Sequence, residues 1–304
     1  DELQAVLESI KNGTAYASKR KQKMKIGVDV LPFIPKDSTD RNRTSPFAFT
    51  GNKFEFRSLG SSLSISGPNT TLNAIVANTL KQFADELEKA KDFENSLHKL
   101  IRREITEHWK IIFNGNGYDS SWVEEAQQRG LLNLKTLPDA MAEYLNPKNI
   151  KLFTDMGVYT QIEMESHYDI KLEKYCQVLN IEVETMLEMI NKDILPAVFK
   201  YMNAISDTVI KVKQAFPEAE CSAEKILLQK LDSHVNNLSK KADEIWIKHN
   251  EANKLTNIME CAKAYANDIL PAMEEARYFA DEMEPLLGEE YKPFPSYEDL
   301  LFRI

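Results

Sequence analysis

Arg41, Arg43, Lys53, Glu55 and Arg57 place four cations and one carboxylate in a single short segment of the chain. The last three belong to an alternating run, Lys53-Phe54-Glu55-Phe56-Arg57. Extended backbone has a side-chain period of two. Lys53, Glu55 and Arg57 therefore share one face, about 7 Å apart, and Phe54 and Phe56 share the other, where they can enter a core. A carboxylate fixed between cations suits phosphate, carboxylate and a divalent metal brought together. The same alternation also describes an edge strand with a solvated charged face, and spacing alone leaves both readings open.

Glycine and proline divide the elements that would carry this segment. Eight of the ten glycines fall in the first 130 residues, and none lies between Gly157 and Gly288. The front is therefore read as mixed and the back as long helices, making a mainly α (α+β) chain. An opening helix should end at the cap signal Asn12-Gly13, and a solvated basic run, Lys19 to Lys25, follows. Strands are expected at Ile26–Val30 and Lys53–Arg57, with a loop from Leu31 to Asn52 between them. Pro68-Asn69 should open a helix whose stripe Leu72, Ile75, Val76, Leu80, Phe83 and Leu87 packs on the sheet holding Phe54 and Phe56. A helix over Asn95–Phe113 is expected to be capped by Asn114-Gly-Asn-Gly117, and Ser120 and Leu137-Pro138 to open two more.

In the back half, Thr160-Gln-Ile-Glu163 reads as a capping box starting a long helical run. Ser222 should cap a helix from Glu224 past Trp246, and a last helix should span about Glu251 to Met283. The pentapeptide Asp-Ile-Leu-Pro-Ala occurs twice, at 193–197 and 268–272. Each proline removes a hydrogen bond, so each should mark a kink or a restart.

Composition sets limits on function. A net charge of −9 argues against nucleic acid or an anionic membrane as partner, and no apolar run approaches a membrane span. Cys176, Cys221 and Cys261 are odd in number and widely separated, and are read as reduced, buried thiols of a cytoplasmic protein. The five histidines form no His-x-x-x-His or His/carboxylate set, so each is assigned a surface or structural place.

The charged segment also has a recognisable wording. Arg41-Asn-Arg-Thr-Ser45 followed by Lys53-Phe-Glu-Phe-Arg57 resembles the glutamine synthetases, whose last active-site segments run Asn-Arg-Ser-Ala and then Arg-hydrophobic-Glu-hydrophobic-Arg. The spacer Pro46 to Asn52, and Gly67-Pro-Asn69 beyond it, resemble the long type III enzymes. The likeness continues through Trp122-Val-Glu-Glu-Ala-Gln-Gln-Arg-Gly-Leu-Leu-Asn133 and Leu137-Pro-Asp-Ala140 to the tail Phe294–Ile304.

The resemblance implies an ATP-dependent ligase joining glutamate and ammonia through a γ-glutamyl phosphate, with Mg²⁺ or Mn²⁺. It implies Glu55 as a metal ligand, Arg43 and Arg57 as catalytic residues holding glutamate or the transferred phosphoryl, and Lys53 and Arg41 near the nucleotide. The shorter enzymes carry a further arginine where this chain has Ala48. The family's rule is a ring-type homo-oligomer, here a dodecamer of two hexameric rings. Asp1 starts mid-helix and such enzymes are more than twice this length, so the chain is expected to be a carboxy-terminal piece. The piece divides as 1–92 catalytic-domain end, 93–158 helical connector, 159–287 long antiparallel helices and 288–304 docking tail, and alone it should be inactive. A non-catalytic helical scaffold or oligomerisation module is the competing reading.

Overall fold

The computed structural model describes residues 2–16, 47–49, 54–56 and 63–302, apart from Asn114 and Tyr118. The chain forms two compact units, one of residues 1–134 with 151–159, the other of 135–150 with 160–304.

The first unit contains α1 (Glu2–Asn12), strands β1 (Phe47–Phe49) and β2 (Phe54–Phe56), α2 (Ser66–Leu87), α3 (Phe93–Glu107) and α4 (Ser120–Gln128). α1 stops where Asn12-Gly13 indicates. Gly13 adopts φ +68°, its N–H donates to Ile10 O (3.3 Å), and that of Thr14 donates to Ser9 O (3.0 Å). This paired pattern satisfies carbonyls that a helix end otherwise leaves open. Arg102 Nε donates to Lys11 O (3.1 Å), and the Lys11 ammonium lies 4.2 Å from the Trp109 ring centre. The end of α1 is thus held on α3 and the turn after it.

Two expectations in this unit are corrected. Asn114-Gly-Asn-Gly117 does not cap the preceding helix: α3 ends at Glu107 and a 3₁₀ turn, Trp109–Ile111, follows. Tertiary contacts take over there. Arg129 donates to the carbonyls of Lys110 (3.2 Å) and Ile112 (2.9 Å), and Phe113 stacks on Trp122 with ring centres 3.9 Å apart. α2 starts two residues before Pro68, which a first turn tolerates because its donors are unpaired anyway. Of its stripe, Leu72, Phe83 and Leu87 are half-buried, whereas Ile75, Val76 and Leu80 are exposed. Arg103 ties α3 to α2 through a two-pronged contact with Glu86, 3.0 Å on each prong. The expected strand Ile26–Val30 and basic run Lys19–Lys25 lie outside the described residues, as do the side chains of Phe54 and Phe56.

The second unit is built from α5 (Leu137–Tyr144), the start of α6 (Pro147–Asp155), α7 (Gln161–Met189), α8 (Leu195–Ala215), α9 (Ser222–Ala252), α10 (Ile258–Ala264), α11 (Leu270–Met283) and α12 (Tyr297–Phe302). α7 opens on the capping box: Glu163 N–H donates to Thr160 Oγ1 (3.3 Å) and Thr160 N–H to Glu163 Oε2 (2.8 Å). Both prolines produce the same distortion. A single π-helical turn, Ile190–Ile194, joins α7 to α8, and another, Tyr265–Ile269, joins α10 to α11. In each, the leucine before the proline donates five residues back, Leu195 to Ile190 O and Leu270 to Tyr265 O. The wider turn makes room for a ring that would strike the carbonyl four residues earlier and supplies no donor to it. Residues 161–215 thereby run as one helix roughly 80 Å long.

α9 returns antiparallel along this helix, and α10–α11 runs antiparallel to α9, with Lys241 paired to Glu275 (2.6 Å) and Lys248 donating to Asp268 O (3.3 Å). The buried positions of α9 are 231, 235, 238, 242, 245, 249 and 252, alternately four and three apart. That is the seam spacing of helices packed side by side, since it keeps one apolar line facing the partners. Leu231, Leu238 and Ile245 meet a core that includes Leu172, Val183, Val198, Ala262, Ile269 and Ala276, all without solvent exposure. Fully burying one such aliphatic side chain contributes about 1.5–3 kcal/mol.

Ser222 is the first residue of α9 and not its cap. Cys221 holds the cap position with φ +49°, because the chain must reverse between Phe216 and Ser222. Cys221 is also only partly buried, contrary to expectation, while Cys176 and Cys261 are buried thiols. Nor does one helix span Glu251–Met283. α9 persists to Ala252, and Asn257 restarts the chain by accepting from the N–H groups of Met259 (2.9 Å) and Glu260 (3.2 Å). Among the described residues no helix is long and apolar enough to cross a membrane.

Candidate functional site

The charged segment meets the described structure at a hairpin. β1 and β2 pair antiparallel, with Phe47 opposite Phe56, Ala48 opposite Glu55 and Phe49 opposite Phe54. β1 falls inside what the sequence suggested was loop. Three residues are too few for periodicity to reveal, and it is the pairing with β2 that makes them a strand. In this register each phenylalanine of β1 pairs with a phenylalanine of β2, and Glu55 pairs with Ala48. Glu55 is the central residue of β2. Arg41, Arg43, Lys53 and Arg57 lie outside the described residues. Of the proposed site residues, the structure thus locates the backbone of Glu55 alone.

Elsewhere, Glu104, Glu107 and His108 are the one group among the described residues close enough to share a metal ion. They sit at the exposed end of α3, and Glu104 is already bound to Arg103 (2.8 Å) and to His108 (3.4 Å). This is an ordinary surface charge cluster.

A buried polar network in the second unit went unseen in the sequence. His249 is 2% exposed and occupies a seam position of α9. Its Nδ1 lies 3.2 Å from the Tyr265 hydroxyl and its Nε2 lies 3.1 Å from Asn253 Nδ2. Tyr265 donates to Asn253 Oδ1 (3.0 Å) and Asn253 Nδ2 reaches Asn180 Oδ1 (3.3 Å). Because the tyrosine proton goes to Asn253, its oxygen must accept from His249 Nδ1–H, which leaves Nε2 to accept from the amide. The set is satisfied by neutral imidazole. Burial lowers the His249 pKa, and Glu184, with a carboxylate oxygen 4.0 Å from Nε2, opposes that. Burial pushes the Tyr265 hydroxyl up to about 12. Burial first, then a hydrogen bond to Cys261, pushes the neighbouring Cys176 thiol up to about 12 also. Such thiols are protonated and inert.

The network should make the helical unit acid-labile. Unfolded histidine titrates near 6.5, whereas His249 in the folded chain takes up its proton only at lower pH. Its stabilising contribution is complete above about 6.5 and is lost as pH falls below that value. Thermal melts should show a lower midpoint as the buffer is acidified through that range. A His249→Gln variant should start about 1–3 kcal/mol less stable and vary less with pH there. Parallel pH profiles for the two proteins would show that another group is responsible.

The chain also has relatives. A family profile described as "Glutamine synthetase C-terminal domain" matches residues 96–213. A glutamine synthetase of Butyrivibrio fibrisolvens is 37% identical over 100% of the chain and 43% of its own length. A type-3 glutamine synthetase of Dictyostelium discoideum is 32% identical over 99% of the chain and 42% of its own. One of Bacteroides fragilis (strain YCH46) is 30% identical over 99% of the chain and 42% of its own. The chain therefore spans about two-fifths of the length of the curated relatives it matches. Similarity over essentially the whole chain to three proteins named glutamine synthetase, together with the matched C-terminal domain, relates this chain to the glutamine synthetase family.

Proposed function

We propose that this chain forms part of an ATP-dependent glutamate–ammonia ligase that makes glutamine through a γ-glutamyl phosphate. The observation carrying the reading is similarity to glutamine synthetases over a span that includes the segment holding Arg43, Lys53, Glu55 and Arg57. Phosphoryl transfer to a carboxylate crowds negative charge, and acceleration comes from cations fixed where that charge develops. Arg43 and Arg57 hold the glutamate carboxylate and the transferred phosphoryl through planar forks. Lys53 and Arg41 lie against the nucleotide phosphates. Glu55 offers a hard oxygen donor opposite the small Ala48, a donor type that fits Mg²⁺ or Mn²⁺, and contributes one ligand of the set. Such an ion, when bound, neutralises phosphate charge.

The assembly we infer is a homo-oligomer of rings, a dodecamer of two hexamers, in the cytoplasm, with the long helices contributing to contacts between copies. Exposed apolar side chains on α7 and α9, among them Ile170 (55%), Ile181 (62%) and Ile247 (57%), support that placement. The intact protein should release phosphate from ATP only when glutamate and ammonia are both supplied, and should elute as a ring-sized particle by light scattering. Residues 1–304 alone should do neither chemical step. Phosphate release indifferent to glutamate would remove the ligase reading, and a monomeric intact protein would remove the ring.

A further inference from the structure

Within the second unit, the two proline-bearing repeats line one groove. Ile194 and Leu270, from the first and second Asp-Ile-Leu-Pro-Ala, line opposite sides of a groove of about 470 Å³ between the 161–215 helix and α11. Its floor is buried: Ile190, Val198 and Met283 are at most 1% exposed. Its walls, Met186, Met189 and Met273, reach solvent, and Met189 is 37% exposed. Glu274, Asp281 and Glu284 stand on the lining with one cation, Arg277, whose Nε already donates to Asp281 (3.2 Å). Glu274 is in no ion pair among the described residues, and Glu284 has Lys292 nearby, itself paired to Glu289 (2.6 Å).

We propose that this groove docks an amphipathic helix of another protein, one with leucine-like side chains on one face and lysine or arginine beside them. A trough between two parallel helices takes a helix lengthwise through anchors three and four residues apart. Unbranched methionine walls reshape around different apolar anchors and are characteristic of surfaces that accept a helix. The chain's charge selects the occupant. Three carboxylates on the lining against Arg277, with Lys292 beside Glu284, leave the rim acidic, favouring a basic flank and opposing an acidic one. The chain's own exposed segment fits poorly for that reason. α12, the exposed apolar helix of this chain and of any second copy, presents Leu300, Leu301 and Phe302 beside the acidic Asp299.

The test uses the intact protein and two fluorescent 18-residue peptides with leucines at helical spacing, one filled with lysine and one with glutamate, each also made with photo-leucine. Fluorescence anisotropy in physiological salt should give saturable binding of the lysine peptide in the micromolar range, with the glutamate peptide at least about tenfold weaker. Crosslinks should map to 186–198 and 270–287. Met189→Glu, at a position already open to solvent, should weaken binding by at least about tenfold, and the Glu274→Gln/Glu284→Gln pair should weaken only the lysine peptide. Absence of binding, crosslinks elsewhere on the acidic surface, or equal affinity for the two peptides would each overturn the proposal. So would self-association that Met189→Glu abolishes while neither peptide is captured, since a second copy would then own the groove.

Discussion

Glu55→Ala in the intact protein should reduce glutamine formation by about 10³-fold or more, with no loss of fold. The expectation follows from charge. A carboxylate that helps hold a divalent ion has no substitute in alanine, and the phosphate oxygens it serves indirectly would be left to repel the incoming carboxylate. Glu55 occupies the middle of a three-residue strand whose ladder is made by backbone groups, so removing its side chain leaves the pairing with β1 in place. Phosphate release coupled to glutamine production is the readout for activity, and circular dichroism melts are the readout for fold. Raising Mg²⁺ or Mn²⁺ should recover part of the loss if the variant only weakens metal binding. A variant as active as its parent would return β2 to the alternative reading, an edge strand with a solvated face.

Arg43→Lys and Arg57→Lys should each lower catalytic efficiency by about 10²-fold, although both keep their charge. Lysine presents a compact ammonium where arginine presents a flat fork with paired donors, and a carboxylate or phosphoryl held by two parallel hydrogen bonds loses its orientation when one is removed. Separate measurement of kcat and KM distinguishes the roles. Loss concentrated in KM for glutamate indicates ground-state binding, and equal loss in kcat and kcat/KM indicates a contact made in the transition state. If both lysine variants match the parent, point charge is all the segment supplies and the fork geometry has no part in the reaction.

Local signals were read well where one or two residues decide the outcome. Thr160 and Glu163 form the reciprocal cap, Gly13 closes α1, and both prolines interrupt the regular α-helix with a wider turn, because each depends on a donor, an acceptor or a missing N–H within a few residues. Signals failed where a distant partner decides. β1 exists through its pairing with β2, α3 stops early because Arg129 takes the next carbonyls, and Ile75 is exposed on a helix whose stripe suggested packing. His249 was placed among charged helix residues, yet its seven-residue spacing from Ala242 puts it in the seam. That spacing was available in the sequence; its meaning rested on Tyr265 and Asn253 arriving from beyond the end of α9. For the candidate site, motif wording alone proposes the residues and their chemistry, and the hairpin register adds only that Ala48 pairs with Glu55.

The wide turn at Ile190–Ile194 also acts as a change of phase. Along α7 the buried residues Val183, Leu187 and Ile190 recur at four and three, but the next, Leu195, comes five later, and Val198 and Ile205 resume the old beat. One surplus residue has been absorbed in a single loop of backbone, so that helix on both sides keeps the same side toward α9. Adding one more residue there, with no second wide turn to absorb it, would rotate everything downstream by about 100°, carrying Val198 and Ile205 out of the seam and Ala197 and Ala204 toward it. A one-residue insertion after Asn191 should thus be far more damaging than any single substitution at that site, because it acts on the whole of α8 at once as rotation and on none of it as chemistry.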